Sequence, residues 1–367
     1  MPDPLVISID AMGGDHGPPV VVPGVARAIS QLGVDARFLL HGDEAALTAA
    51  IARLPALQGR VEVRHSERVV ANDDKPAQAM RRGKGTSMWN AVESVKAGEA
   101  HAAVSSGNTG ALMAISLLQL RMIGEMERPA LVASWPTSRG ITAVLDVGAN
   151  IDCDAERLVE FAILGAAYHR AVHGSAHPTV GVLNVGSEEG KGHEEVKGAN
   201  RLLRATQFDM DYRGFVEGDD IAKGTVDVIV TDGFTGNVAL KTAEGLARFF
   251  STELRAAIGG SLMGKIGAFI AQGALRRLRD RLDPGGGGPF LGLNGIVVKS
   301  HGGADARGFA AAIRLAADLA KSDFAAEIDR NLKRLTAAAG ATEEPGAGAA
   351  AAPTDTAQGE PGERSNA

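Results

Sequence analysis

Residues Leu5-Val6-Ile7-Ser8-Ile9-Asp10-Ala11-Met12-Gly13-Gly14-Asp15-His16-Gly17-Pro18 run from a short apolar strand pattern into a loop of glycines and small polar residues. The pattern recurs five more times. His101–Val104 leads into Ser105-Ser106-Gly107-Asn108-Thr109-Gly110, and Thr142–Asp146 into Val147-Gly148-Ala149-Asn150. Val180–Asn184 leads into Val185-Gly186-Ser187-Glu188-Glu189-Gly190-Lys191-Gly192. Asp227–Val230 leads into Thr231-Asp232-Gly233-Phe234-Thr235-Gly236-Asn237, and Gly295–Lys299 into Ser300-His301-Gly302-Gly303-Ala304-Asp305. The strands read as continuous apolar runs, as expected when both faces of a parallel sheet are covered. Loops at the carboxyl ends of such strands line small-molecule sites, and free N–H groups at the following helix starts attract anions. Six such loops point to an α/β enzyme acting on an anionic ligand.

Between them the chain predicts strands at Ala36–His41, Val61–Arg64, Leu131–Trp135 and Gly214–Glu217. Helices are expected over about Val20–Gln31, Glu44–Arg53, Met88–Ala97, Thr109–Leu120, Ala155–His169 and Glu194–Thr206. A long helix is expected from near Asn237, and a final one over about Asp305–Leu335. Residues 72–87, broken by Pro76, Gly83 and Gly85, read as a surface loop, and Pro136-Thr137-Ser138-Arg139-Gly140 as a hairpin turn. Residues 1–338 form one domain on this reading. From Ala339 onward Ala, Gly, Pro, Thr and Glu cannot bury enough apolar area to offset chain entropy, and a disordered tail is expected.

The charge is mild, −6 over 367 residues, and the stretch from Ala339 carries Glu343, Glu344, Asp355, Glu360 and Glu363 against Arg364 alone. This balance argues against a nucleic-acid partner. Cys153 is the single cysteine, which excludes an intramolecular disulfide and any cysteine metal cluster; it is either a nucleophile or a small buried filler. The first residues lack a signal-peptide pattern, and no run of about 18 apolar residues suggests a membrane span; a cytoplasmic protein is expected.

Residues 259–284 stand apart. Gly259-Gly260 breaks the preceding helix, after which Leu262, Ile266, Phe269 and Ile270, then Leu275, Leu278 and Leu282, recur at helical spacing. Lys265, Arg276, Arg277, Arg279 and Arg281 lie among them against Asp280 and Asp283, giving a basic amphipathic helix pair. Such a pair packs on the body or on a second subunit, or touches an anionic lipid surface through Leu262, Ile266, Phe269 and Ile270.

Named nucleotide motifs fail. Gly186–Lys191 resembles a Walker loop, but the spacing is short and Gly192 replaces the magnesium-binding Ser or Thr. No G-x-G-x-x-G follows the first strand. Asp10, Asp15 and His16 suit either a metal or a structured loop. What remains is oxyanion and phosphate chemistry. Lys191 offers a full charge to a phosphate or a developing oxyanion, or is a solvated helix-entry lysine. Asn237 is either a helix N-cap or an amide donor to a carbonyl oxygen, and Asn108 with Thr109 poses the same choice. His301 is a loop histidine or an acid–base group. Arg81, Arg82 and Lys84 form a basic cluster, a solvated face or a landing patch for an acidic partner.

These blocks resemble, in order, those of the phosphate acyltransferases of bacterial phospholipid synthesis. The likeness is carried by Ile7–Pro18, Ser106–Ala111, Leu145–Asn150, Asn184–Gly192 and Thr231–Asn237, and covers essentially residues 5–335. The stretch from Asp73-Asp74-Lys75-Pro76 to Met88 also fits, departing locally at Gly83, Gly85 and Thr86. The resemblance implies a three-layer α/β/α sandwich related to phosphotransacetylase and the isocitrate-dehydrogenase-like folds, usually a homodimer. It implies transfer of a long-chain acyl group from acyl carrier protein to inorganic phosphate without a cofactor. It also implies peripheral contact of residues 259–284 with the inner face of the cell membrane, where a glycerol-3-phosphate acyltransferase uses the acyl phosphate. Lys191 and Asn237 are the expected catalytic residues. Gly13, Gly14, Asp15, His16, Asn108, Thr109, Gly110, Asn150, Gly190, Asp232, Gly233, Thr235, Gly236 and His301 are expected to line the substrate. An actin-like small-acid kinase, suggested by Leu145–Asn150, a dehydrogenase and a non-catalytic membrane scaffold are the alternatives.

Overall fold

The opening apolar run becomes strand β1 (Val6–Asp10), fully enclosed from Ile7 onward. The structure, a computed structural model, describes residues 4–282 and 287–342. The remaining strands are β2 (Arg37–Gly42), β3 (Val61–His65), β4 (Ala102–Ser105), β5 (Ala130–Thr137), β6 (Gly140–Leu145), β7 (Thr179–Leu183), β8 (Asp211–Val216), β9 (Val228–Val230), β10 (Gly287–Leu291) and β11 (Ile296–Ser300). They form one sheet in the order β3-β2-β1-β4-β11-β10-β5-β6-β9-β7-β8. Strands β3, β2, β1, β4 and β11 are parallel to one another, as are β6, β9, β7 and β8. Between these halves β10 and β5 are antiparallel to each neighbour, so the two parallel halves run in opposite directions.

The helices are α1 (Pro18–Leu32), α2 (Glu44–Ile51), α3 (Pro76–Arg82), α4 (Ser87–Lys96), α5 (Thr109–Leu120), α6 (Ala155–His173), α7 (Glu194–Ala205), α8 (Asp220–Lys223), α9 (Gly233–Gly259), α10 (Leu262–Ile270), α11 (Gln272–Leu282), α12 (Ala306–Ala320) and α13 (Phe324–Thr342). Strand alternation sorts the core. Ile7, Ile9, Val104 and Val298 face Val25 of α1 and Phe309 and Ile313 of α12. Ala103 and Val297 face Met88 and Val92 of α4 and Leu112 and Ile115 of α5. In the other half α6, α7 and α13 pack through Phe161, Leu203 and Ile328 on Leu145, Val180 and Val228. Each large aliphatic side chain so enclosed contributes about 1.5–3 kcal/mol. The opposite face of that half is covered more thinly, by α8 and the start of α9, through Ile221 and Leu240 against Val144 and Ile229. The result is the expected α/β/α arrangement.

Several elements depart from the sequence reading. The expected loop 72–87 contains α3, because Pro76 sits in the first turn, where its missing N–H costs nothing, and starts the helix rather than breaking it. Gly85 in the connection to α4 takes φ +83°, and Thr86 caps α4 by accepting from Trp89 N–H at 3.3 Å. Strand β10 was hidden by Gly287, Gly288 and Pro289, poor strand formers that are held between β11 and β5. The final helix is two: α12 ends at Ala320, and α13 starts afresh at Phe324 and runs to Thr342. Residues from Glu343, with most of the expected tail, lie outside the described residues, as does Asp283 of the basic segment. Helix α9 starts at Gly233, four residues before Asn237. The hairpin is present, with Pro136 opposite Ile141 near the end of β5, where β10 no longer pairs.

Candidate active site

The six loops assemble as two triplets. The first follows the adjacent strands β1, β4 and β11. The Ser106 hydroxyl donates to the Gly13 carbonyl at 2.9 Å, and the Asp15 N–H donates to the Gly302 carbonyl at 3.0 Å. Gly14 sits at φ +84°, wedged against Ser106 and the Gly302 carbonyl, where a Cβ has no room. Asn108 caps α5 by accepting from Ala111 N–H at 3.0 Å. Its amide also donates to the Asn72 and Asp74 carbonyls at 2.9 Å each, tying the α3 segment to the site. Thr109 is exposed at the start of α5, and Gly110 lies against Pro76. Asp15, His16, Gly303, Ala304 and Asp305 line an open hollow of about 510 Å³. His301 is exposed beside it and accepts from Gly303 N–H at 3.2 Å. Arg81, Arg82 and Lys84 are exposed on the flank, where Arg68 reaches the carbonyls of Arg82 and Lys84.

The second triplet follows β6, β9 and β7. Its centre is Asp146, fully buried, whose carboxylate accepts from the N–H groups of Leu131, Gly148, Ala149 and Asn150 at 2.6–3.2 Å and from the Asn150 amide at 2.8 Å. Burial pushes this carboxyl up from the usual range, and the bonds from Ala149 and Asn150 oppose the shift. Asn150 is itself buried and also donates to the Pro129 carbonyl at 2.9 Å, so it supports the loop from beneath. Gly233 N–H donates to the Asn150 carbonyl at 2.7 Å, and Gly236 packs so tightly on the Asp146 carbonyl that no side chain fits.

Asp232, not Asn237, is the cap of α9, accepting from the N–H and hydroxyl of Thr235 at 2.8 Å each. Asn237 lies in the first turns, exposed, and its amide donates to the Val147 carbonyl at 3.1 Å, joining two loops of the triplet. Lys191 and Gly190 are exposed on the loop after β7, the strand that pairs with β9, after which α9 carries Asn237. Lys191 pairs with Glu188 at 2.8 Å, and that carboxylate raises the ammonium's pKa and keeps it charged.

Among the described residues no cluster of three or more His, Cys, Asp or Glu is arranged to hold a metal; Asp10, Asp15 and His16 do not form one. Cys153 is half-buried, and burial with the nearby Asp146 pushes its thiol up to about 12, which disfavours the thiolate.

A family model described as "Fatty acid synthesis protein" matches residues 5–327. A phosphate acyltransferase from Caulobacter vibrioides is 67% identical over 93% of this chain and 95% of its own length. One from Phenylobacterium zucineum is 65% identical over 92% and 96%, and one from Maricaulis maris 56% over 90% and 95%. The chain belongs to the phosphate acyltransferase family. It is accordingly an acyltransferase, which sets aside the kinase, dehydrogenase and scaffold alternatives.

The fold of this phosphate acyltransferase family member is shared with solved structures of low identity. A phosphotransacetylase from Streptococcus pyogenes superposes with a TM-score of 0.62 at 16% identity, over 87% of this chain and 95% of that one. A 4-hydroxythreonine-4-phosphate dehydrogenase from Klebsiella pneumoniae superposes with a TM-score of 0.50 at 14% identity, over 87% and 100%. Sequence reasoning on the family blocks passed over Asp146 and Lys299, both buried at the loop bases. Each stands at the end of a strand facing a glycine loop, and that position was the available signal.

Proposed function

We propose that the chain transfers a long-chain fatty acyl group from acyl carrier protein to inorganic phosphate, giving acyl phosphate for phospholipid synthesis. A phosphate oxygen attacks the thioester carbonyl carbon, the tetrahedral oxyanion collapses, the C–S bond breaks, and the carrier leaves as a thiolate. Phosphate is already an anionic nucleophile near neutral pH, so the demand on the protein is to hold two partners and stabilise the oxyanion; each contributes several kcal/mol. The observation that carries the reading is that Lys191 and Asn237 follow the adjacent parallel strands β7 and β9, with the Asp146-braced loop beside them. Lys191 releases Glu188 to neutralise phosphate or oxyanion charge, and Asn237 with loop N–H groups donates to the thioester oxygen. Gly190, Asp232, Gly233, Thr235, Gly236 and Asn150 shape that half of the site; Gly13, Gly14, Asp15, His16, Asn108, Thr109, Gly110 and His301 shape the other.

Sheet twist supports a common cleft for the two triplets. At about 20–25° per strand, the five steps from β4 to β9 accumulate roughly 100–125°, turning strands that oppose in the sheet back toward one another. The acidic carrier protein docks on the basic flank at Arg81, Arg82 and Lys84. Helix α9 exposes Val238, Leu246, Phe249, Phe250 and Leu254, a face suited to a second copy of the chain. Helix α10 exposes Leu262, Ile266, Phe269 and Ile270, suited to peripheral contact with an anionic membrane, where a glycerol-3-phosphate acyltransferase takes the product. No helix of the described residues is long and apolar enough to cross a membrane.

The test is release of free carrier thiol from acyl-carrier substrate. Release is expected to require phosphate and not ATP, and Lys191→Ala is expected to cut turnover at least tenfold with its melting temperature unchanged. Unaltered kinetics in that variant remove Lys191 from the site, and ATP dependence removes the reaction.

A further inference from the structure

Across three adjacent parallel strands, Asp10 of β1, Ser105 of β4 and Lys299 of β11 stand in one row. Lys299 is in register with Ser105, and Asp10 follows Ile9, the partner of Val104. Alternation places all three on the sheet face covered by α4 and α5, opposite the face that Ile9, Val104 and Val298 present to α1 and α12. The Ser105 hydroxyl donates to the Asp10 carboxylate at 2.6 Å. Lys299 is 9% exposed, and its ammonium donates to the Ser106 carbonyl at 3.4 Å and to the Ser300 carbonyl. Those carbonyls belong to the first residue after β4 and the last residue of β11.

A buried ammonium is expensive unless its charge is used. Here the surroundings supply little compensation. Strands β4 and β10 and helix α5 contain no charged residue. Helix α4 turns Ser87, Met88, Ala91 and Val92 inward and leaves Glu93 and Lys96 exposed. Helix α12 presents Phe309, Ala310, Ile313 and Ala317 to the other face. Among the described residues, the carboxylates that bear on Lys299 are those of Asp10 and Asp15, and His301 two residues on is exposed. We infer that Lys299 is a positioning residue: its ammonium ties the Ser106 and Ser300 carbonyls together and fixes the 105–110 and 300–305 loops against each other for substrate. This rests on the reading of those loops as part of the substrate site.

The tie has a titration. Burial pulls the Lys299 ammonium down to about 8, with Asp10 and Asp15 opposing the shift. The charge is therefore present below pH 8 and lost as pH rises through it, giving an alkaline limb to activity. Removing a supporting carboxylate moves that limb to lower pH. An arginine, charged throughout, removes it.

The experiment measures kcat/KM for phosphate between pH 6.5 and 10 with the full chain and acyl-carrier substrate. The unmodified protein is expected to lose about tenfold per pH unit above the limb, as a single deprotonation requires. Lys299→Met is expected to be at least tenfold less active below pH 8 and to lack the limb. Lys299→Arg is expected to restore activity and to exceed the parent at pH 9.5. Asp15→Asn, on an exposed loop, is expected to shift the limb downward. A flat parent profile to pH 9.5, or a Lys299→Met protein within twofold of the parent with the same limb, overturns the inference. If neither Lys299 variant folds, the parent limb and its displacement in Asp15→Asn decide, and an unmoved limb overturns it. Absence of phosphate-dependent thiol release from the parent at every pH is a separate outcome, which removes the substrate reading and this inference with it.

Discussion

At the scale of single residues, the buried polar groups decide which loop shapes exist. Asp146 gathers four main-chain N–H groups and one amide on a single enclosed carboxylate. An asparagine of the same shape turns an NH2 toward some of these donors. Asp146→Asn is therefore expected to cost about 3 kcal/mol or more, since several charge-assisted bonds of about 1.5–3 kcal/mol are weakened together. Denaturant unfolding checks this; a loss under 1 kcal/mol contradicts the assigned role. Lys191 presents the contrary case, an exposed cation held by Glu188, so its removal is expected to touch chemistry and leave stability alone. The contrast explains what was legible in the sequence. Lys191 and Asn237 announced themselves as polar residues in glycine loops. Asn237's true partner, the Val147 carbonyl ninety residues away, is a tertiary fact that no local spacing carries. Lys299, closing an apolar run, read as the end of a strand and showed nothing of its burial.

At the scale of elements, periodicity served the long amphipathic pieces and failed the short ones. The break at Gly259-Gly260 and the following pair were readable because apolar residues returned at helical spacing, and α10 and α11 stand there. Ser261 caps α10 by accepting from Gly264 N–H at 2.9 Å, a cap the glycine-rich sequence obscured. Strand β10 was unreadable because its first three residues are Gly-Gly-Pro, and only β11 and β5 on either side make it a strand. On α10, Phe269 and Ile270 are 79% and 80% exposed, too much apolar surface on one short helix for solvation alone. Deleting residues 261–282 is expected to abolish co-sedimentation with vesicles containing anionic lipid while thiol release from soluble substrate persists. Undiminished sedimentation after the deletion contradicts a membrane role for this pair.

At the scale of the whole molecule, two parallel half-sheets of opposite direction are stitched by β10 and β5, and each ends in a triplet of ligand-type loops. A two-substrate transfer suits that duplication of ligand-type loops. The parallel halves followed from the sequence because each strand–loop–helix unit repeats one pattern. Their opposed directions did not, since the reversal rests on β10 and on the short pairing of Phe290 and Leu291 with Leu131 and Ala130. The cover over Val144 and Ile229 is thin, and α9 leaves Val238, Leu246, Phe249, Phe250 and Leu254 exposed. In the proposed reaction phosphate itself attacks the thioester. The most direct test incubates the full chain with acyl-carrier substrate and phosphate labelled with oxygen-18 at all four positions, and weighs the product by mass spectrometry. Acyl phosphate retaining all four labelled oxygens, formed in step with free carrier thiol, is the predicted result; thiol released alongside unlabelled fatty acid, with no labelled acyl phosphate, would contradict it.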